Sequence, residues 1–154
     1  MKVAVFGRFY NKTTTTSVET LFNYFLKKGI DAYIETEFSN LIKNESQNKI
    51  DYSSFKNFDV LDDSFNLLVS VGGDGTILRA ITFVKDFDIP IIGINTGRLG
   101  FLATIQVNQI ENAIQDIIDG NYKISERSLL SVETTPENDD ITSLNVALNE
   151  IAVS

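Results

Sequence analysis

The sequence predicts an α/β fold: an open, mainly parallel sheet with flanking helices, followed by the opening strands of an all-β unit. Three observations carry this prediction. Short continuous apolar runs, typical of buried parallel strands, end at loops that contain glycine. Amphipathic helical patterns lie between these runs, which favours βαβ units with right-handed crossovers. Near residue 120 the pattern changes to two strand-type segments with no helix between them.

The first strand is predicted at residues 2–7, an apolar run that ends in glycine. The loop 8–15 would follow it at the carboxyl edge of the sheet, where open α/β sheets bind ligands. Its polar side chains fit a ligand contact and a plain solvated connection equally well.

The next helix is predicted to begin at Thr16, which would form a capping box with Glu19. Apolar residues then recur at helical spacing through Leu26. Lys27, Lys28 and Gly29 follow in the order that a helix C-terminus favours.

The alternating segment 31–36 predicts a second strand, nearer the sheet edge than the first. Apolar residues between 38 and 42 give weak support for a short helix. The polar stretch 43–63 predicts neither an element nor any chemistry.

The chain is organised around residues 65–80, FNLLVSVGGDGTILRA. An apolar run stops at a glycine pair, and apolar residues return at helical spacing after Thr76, which predicts a strand, a tight loop and a helix. Glycines let backbone N–H groups approach a ligand, and the helix N-terminus directs its free donors to the same place. We therefore predict a phosphate site, with Thr76 as the helix cap.

Asp74 is a carboxylate in the middle of this predicted anion-binding loop. It would repel phosphate unless a metal or a proton-transfer role offset its charge. A lone Asp-Gly is usually just a turn former or helix cap. Here three glycines surround the aspartate directly behind a buried strand, which favours a functional role.

Another buried strand is predicted at residues 89–95, and it opens onto a second glycine-bearing loop, 96–101. Both glycine loops would face the same edge of the sheet. Asn-Thr-Gly is also a good turn by itself, so this second loop has a purely structural alternative.

The last part of the predicted α/β pattern is a helix over residues 108–120, with a capping box between Asn108 and Glu111. Segments 123–135 and 144–154 then read as strands joined by the turn residues PENDD. They predict an antiparallel hairpin.

The composition excludes several functions. A net charge of −8 and a pI near 4.5 argue against a nucleic-acid surface and against a polybasic membrane contact. The absence of Cys and His removes thiol and histidine chemistry and zinc sites, so carboxylates must supply any general base. The acid pair Asp62 and Asp63 fits a solvated turn better than a metal site. The apolar N-terminal run is far too short for a signal or a membrane span, which makes a cytoplasmic location the default.

Two strings resemble signatures of a known family. GGDGT, residues 72–76, resembles the phosphate loop of the NAD kinases, and it is shared more loosely with diacylglycerol and sphingosine kinases and with distant phosphofructokinases. NTGRLGFL, residues 95–102, resembles the second NAD kinase signature, in the correct order and at a short distance. Lipid kinases are not expected to carry this second string. The chain is therefore identified as similar to a bacterial NAD kinase from its first strand to its last residue.

The resemblance implies an activity and a set of site residues. NAD kinases transfer the γ-phosphate of ATP to the 2′-hydroxyl of the adenosine ribose of NAD, which makes NADP. By analogy Asp74 would be the catalytic base, and a divalent cation such as Mg²⁺ would neutralise phosphate charge. The residues expected to bind the two nucleotides are Gly72, Gly73, Asp74, Gly75, Thr76, Arg79, Phe101, Asn149 and Glu150. Arg79 has the alternative of an exposed helix residue, Phe101 that of a core residue, and Asn149 and Glu150 that of a surface pair.

The chain departs from the family pattern because it stops at Ser154. NAD kinases continue into a larger β-rich domain that binds the dinucleotide and builds a homo-oligomer. We therefore expect an α/β domain at 1–106, with a connecting helix and the first strands of a truncated β-rich domain at 107–154. On this reading the chain is an incomplete, inactive piece of the enzyme.

Two other function classes remain open at this stage. A lipid kinase would share GGDGT but should show a basic or apolar membrane-facing patch, which an acidic chain lacks. A non-catalytic dinucleotide-binding module is the second alternative. Neither G-x-G-x-x-G nor G-K-[ST] is present to support generic nucleotide binding.

Overall fold

The structure is a computed structural model of the 154-residue chain, and it describes residues 1–44, 50–97, 100–133, 135 and 146–148. The chain divides into two compact units, Met1–Tyr122 and Lys123–Ser154. The first unit therefore keeps the helix that follows residue 106. The predicted boundary at residue 106, between the α/β domain and the connecting helix with the first strands of a β-rich domain, stays a prediction.

The first unit contains a five-stranded sheet in the order β3-β2-β1-β4-β5, and every neighbouring pair is parallel. Its strands are β1 (Lys2–Gly7), β2 (Asp31–Glu35), β3 (Lys56–Phe58), β4 (Leu67–Gly72) and β5 (Ile91–Asn95). Its helices are α1 (Lys12–Lys28), α2 (Thr36–Lys43), α3 (Asp74–Val84) and α4 (Ile110–Ile118). The predicted α/β class with a parallel sheet is confirmed.

The sheet is buried on both faces, as a parallel sheet requires. On one face, Val3 and Val69 pack in a cluster with Phe22 of α1 and Ile114 of α4. On the other face, a second cluster packs the sheet against α3; its buried members are Ala4, Phe6, Phe58, Leu61, Phe65, Leu68, Ala80, Val84 and Ile89. This double burial explains why β1 and β4 read as unbroken apolar runs.

Helix α1 begins five residues earlier than the sequence suggested, since its N-cap is Asn11 and the predicted one was Thr16. Asn11 is the N-cap, and its side chain accepts hydrogen bonds from the backbone N–H groups of Thr13 and Thr14. The predicted capping box of Thr16 and Glu19 is wrong, because both residues lie inside the helix. The predicted C-terminus is right: Gly29 takes a left-handed conformation with φ of 63°.

Two further details differ from the sequence-based prediction. The stretch 43–63 contains a short edge strand, β3, and a 3₁₀ turn at Tyr52–Ser54. Helix α4 is preceded by a 3₁₀ turn at Val107–Gln109, whose capping box joins Gln106 and Gln109 instead of Asn108 and Glu111.

The second unit contains two short strands, β6 (Leu130–Ser131) and β7 (Val146–Ala147). They pair antiparallel, with Leu130 opposite Ala147 and Ser131 opposite Val146, which confirms the antiparallel pairing of the two predicted segments. The turn residues PENDD that were predicted to join them lie outside the described residues. Within the described part of the chain, no helix is both long and apolar enough to cross a membrane.

Candidate functional site

The glycine loops lie beside the point where the strand order changes direction. The chain builds β2 and β3 on one side of β1, and then β4 and β5 on the other side, so the crevice of an open α/β sheet falls at the carboxyl ends of β1 and β4. The GGDGT loop follows β4 directly. The backbone N–H of Thr96, just after β5, donates to the carbonyl of Gly72 over 3.3 Å. The two predicted loops therefore meet at one edge.

The N-terminus of α3 lies at this edge, and the backbone N–H groups of Gly73 to Gly75 have no acceptor among the described residues. Gly73 is the N-cap, and within the described residues no side chain caps this end of the helix. Helices α1 and α2 differ, because Asn11 and Glu35 accept hydrogen bonds from their first N–H groups. The free N–H groups and the helix dipole make the start of α3 suited to an anion.

Thr76 lies inside the first turn of α3, so the prediction that it caps the helix is wrong. Its side chain is buried and packs against Gly72, where an added Cβ would overlap the threonine hydroxyl and Cβ. Gly72 also has φ of 155°, which side-chain-bearing residues rarely adopt. Glycine is therefore required at position 72 on two counts, and Thr76 fixes the loop from the helix side.

Asp74 is the first residue of α3, and its carboxylate holds the second glycine loop. Oδ1 accepts hydrogen bonds from the backbone N–H groups of Leu102 over 3.0 Å and Ala103 over 2.9 Å. Oδ2 accepts from the N–H of Phe101 over 2.8 Å. These three hydrogen bonds, of which the one from Ala103 has the largest effect, hold the pKa of Asp74 below its ordinary value. Asp74 is therefore ionised at neutral pH and joins the two signature strings.

Asn95, at the end of β5, holds the same segment from the opposite side. Its side chain is 6% exposed, donates to the carbonyl of Ala103 over 3.1 Å and accepts from the N–H of Gly97 over 2.7 Å. Ile105 continues the attachment, since it exchanges backbone hydrogen bonds with Gly93 and Asn95. The sequence indicated the Asn-Thr-Gly turn, which the bond from Gly97 to the Asn95 side chain forms, but it did not indicate the bond from Asn95 to Ala103.

The remaining predicted site residues fall into two groups. Arg79 is exposed on α3, and Phe101 is 95% exposed, which removes the alternative that Phe101 belongs to the core. Asn149 and Glu150 lie outside the described residues. Their contact with NAD stays a prediction.

A polar cavity of about 310 Å³ lies beside the end of β5, and it does not include Asp74. Its lining residues are uncharged: Thr13, Ser17, Asn95, Thr96, Gly97, Gln106 and Val107. Because Asn11 already accepts from the N–H groups of Thr13 and Thr14, the start of α1 does not offer this cavity the donors that make α3 suited to an anion.

Comparisons with known proteins agree with this geometry. Residues 3–122 match the family described as the ATP-NAD kinase N-terminal domain. The chain is 42% identical over 154 residues to a protein of Christiangramia forsetii named NAD kinase, covering 100% of this chain and 52% of the relative. It is 44% identical, with the same coverage, to the NAD kinase of Flavobacterium psychrophilum. The chain thus spans about half the length of the curated relatives it matches.

A solved structure supports the fold. The crystal structure of yeast NADH kinase complexed with NADH superposes with a TM-score of 0.66 and 18% identity, over 85% of this chain and 39% of the yeast protein. At this identity the likeness shows the shared fold alone. The matched family domain and the relatives above 40% identity show more: the chain belongs to the NAD kinase family, and it corresponds to the N-terminal part of these enzymes.

Proposed function

We propose that this chain supplies the phosphate-binding part of an NAD kinase, which transfers the γ-phosphate of ATP to the 2′-hydroxyl of the adenosine ribose of NAD. The single observation that carries the proposal is the uncapped N-terminus of α3 with the ionised Asp74 at its first position. The NAD kinase names of the relatives support the substrates.

Phosphate binding is assigned to the GGDGT loop. Phosphoryl transfer asks a protein mainly for positioning and for stabilisation of charge. The free N–H groups at Gly73 to Gly75 would donate to phosphate oxygens, while Thr76 holds the loop in shape through Gly72. Arg79 is exposed on the second turn of α3 and adds a positive charge within reach of a polyphosphate.

Asp74 is assigned the role of general base for the ribose hydroxyl. A carboxylate has about four lone-pair positions, two on each oxygen. The two hydrogen bonds to Oδ1 fill that oxygen, whereas Oδ2 accepts only the Phe101 N–H among the described residues. Oδ2 therefore keeps one acceptor position, and we assign it the proton of the 2′-hydroxyl.

The NAD side of the site is assigned to Phe101, Asn149 and Glu150. The exposed ring of Phe101, next to the Asp74 carboxylate, offers an apolar face for a nucleotide. We propose that Asn149 and Glu150 contact the nicotinamide-side ribose and amide, on the family resemblance alone. A homo-oligomer and a cytoplasmic location rest on the same resemblance.

A divalent cation, Mg²⁺, is proposed as the partner of the ATP phosphates. The described residues contain no group of three or more carboxylates that could hold a metal ion by themselves. Both oxygens of Asp74 are also engaged by backbone donors. The described residues therefore do not fit a dedicated metal cage, and we propose that the cation would be carried by the nucleotide, as is common for Mg²⁺.

The test is ATP-dependent formation of NADP by a complete enzyme, meaning this sequence continued by the C-terminal part that its relatives carry. Purified enzyme is incubated with ATP, Mg²⁺ and NAD, and NADP is measured with an NADP-specific dehydrogenase. Diacylglycerol and sphingosine are offered in parallel as acceptors. We expect NADP and no phosphorylated lipid. Lipid phosphorylation, or nucleotide binding without transfer to any acceptor, would replace the proposal with one of the two alternatives.

A further inference from the structure

We propose that Gly100 is a positioning residue for NAD phosphorylation, because its missing side chain is what allows the Asp74 carboxylate to seat against the segment 100–103. The proposal rests on the proposed function and deepens it. Gly100 belongs to the second signature, and the proposal gives it the role of positioning Asp74. This role requires neither contact with phosphate nor a positive φ at Gly100.

Gly100 lies directly against the carboxylate of Asp74. A Cβ at this position would lie 2.6 Å from Cγ and 2.7 Å from Oδ2 of Asp74, and it would overlap Oδ1. Real Cβ atoms do not approach other heavy atoms this closely, so one of the two residues must move. Positive φ is found at Gly29, Gly72 and Gly120, and not at Gly100. Contact with the carboxylate, rather than backbone conformation, therefore demands glycine here.

The segment that Asp74 holds cannot retreat to make room. Its far side lies against β5, where a Cβ on Gly93 would already meet the Cα of Ala103 at 2.8 Å. Asn95 holds the carbonyl of Ala103, and Ile105 is paired with Gly93 and Asn95. A side chain at position 100 would consequently displace the Asp74 carboxylate and break its hydrogen bonds to the segment.

Displacement of this carboxylate would disturb two groups of the proposed site together. Oδ2 of Asp74, the proposed proton acceptor, would leave its place at the start of α3. Phe101, whose N–H binds that oxygen, would lose the contact that fixes its backbone. Gly100 thus acts on NAD through Asp74, without touching either nucleotide.

The first test is a double-mutant cycle on NAD affinity, measured by calorimetry in the complete enzyme. The variants are Gly100→Ala, Asp74→Ala and the two combined. We expect each single variant to weaken NAD binding by about tenfold, and the double variant to be no weaker than the worse single one, because removal of the carboxylate also removes the clash. Losses that multiply in the double variant would show that Gly100 acts independently of Asp74 and would overturn the proposal.

Gly97→Ala is the matched control, since it makes the same change in the same loop. Among the described residues, no atom lies within 4 Å of a Cβ built on Gly97, and its φ is not positive. We expect NAD affinity within about twofold of the parent, as for an unconstrained surface change. If Gly97→Ala and Gly100→Ala weaken NAD binding equally, the loss belongs to the loop in general and the proposal fails.

The second test does not require nucleotide binding. In NMR spectra of this chain, the amide resonances of Phe101, Leu102 and Ala103 should shift together as Asp74 is protonated by acid. In Gly100→Ala this common shift should vanish, and in Gly97→Ala it should persist. If the common shift persists in Gly100→Ala, the Asp74 carboxylate binds the segment without glycine at position 100, and the proposal is overturned. A complete enzyme whose parent form binds no NAD would instead overturn the proposed function, and the amide titration would still decide the seating.

Discussion

Asp74 both holds the second glycine loop and serves as the proposed base, two roles that the sequence analysis treated as alternatives. The prediction weighed a turn former against a catalytic group. In the structure its carboxylate is neither a turn former nor a side-chain cap of its own helix, because it binds the N–H groups of residues 27 to 29 positions later in the chain. The same contacts lower its pKa and leave one acceptor position on Oδ2. The proposed base is thus held in place by the loop that it organises.

The lowered pKa of Asp74 predicts a pH dependence of folding stability. A carboxyl group with a folded pKa below its unfolded value contributes stability that is present above the unfolded pKa and is lost as the pH falls through the folded pKa. We therefore expect the free energy of unfolding to fall from about pH 5 to about pH 3 more steeply in the parent than in Asp74→Asn. Urea unfolding at both pH values measures this. Equal slopes would mean that the loop N–H groups do not favour the ionised form in solution.

The requirement for glycine at position 72 can be tested directly. Gly72→Ala should destabilise the chain by about 1–3 kcal/mol, because the φ of 155° is strained for alanine and its Cβ would collide with Thr76. Gly73→Ala is the control, since the φ of Gly73 is an ordinary −101° and no described atom lies within 4 Å of a Cβ built there. Urea unfolding should place the control within about 0.5 kcal/mol of the parent. Similar losses in both variants would contradict the role given to Thr76.

Among the helices, α1 has its N-cap at Asn11 and not at the predicted Thr16. Asn11→Ala should lower the free energy of unfolding by about 1 kcal/mol, the usual cost of an N-cap side chain. Thr16→Ala changes the residue that the sequence pattern favoured, an exposed position inside the helix. Thermal and urea unfolding should show almost no loss for that variant. A larger loss from Thr16→Ala than from Asn11→Ala would restore the later helix start.

Sequence patterns succeeded for elements whose burial fixes their composition. The strands β1 and β4 are buried almost throughout, and the edge strand β5 is buried over its last three residues. Their apolar runs, and the glycine-bearing loops that follow them, were sufficient to predict parallel neighbours. The edge strand β3 was missed because it has three residues, of which only Phe58 is buried. The start of α1 was missed because a run of threonines after Asn11 carries no apolar stripe.

The loops of the site were predicted, but the contacts between them were not. The two glycine strings could be placed at one edge because parallel strands present their carboxyl ends together. The hydrogen bonds from Asp74 to residues 101–103 depend on how α3 and β5 pack, and no local pattern encodes that geometry. The exposure of Phe101 also could not be read from its apolar neighbours in NTGRLGFL.

At the scale of the whole molecule, this chain accounts for about half of a curated NAD kinase. We expect the 154-residue chain alone to form no detectable NADP from NAD and ATP. Transfer depends on holding the 2′-hydroxyl in line with the γ-phosphate, and good positioning of this kind is worth roughly 7–11 kcal/mol. We propose that the part of the relatives beyond this chain completes the acceptor side, and that part would be missing. An enzymatic assay alongside the complete enzyme measures this, and turnover by the chain alone would show that its own residues suffice to bind the acceptor.

We propose above all that the start of α3 places Asp74 as the base of an NAD kinase. The most direct test is the rate of NADP formation by the complete enzyme carrying Asp74→Asn, with circular dichroism and urea unfolding near neutral pH as the check on its fold. Asparagine keeps the shape and one acceptor oxygen but cannot take the ribose proton, so we expect kcat to fall by about 10²- to 10⁴-fold with the fold retained. A folded Asp74→Asn enzyme with a kcat within a few-fold of the parent would contradict the claim and leave Asp74 with its structural contacts to the loop alone.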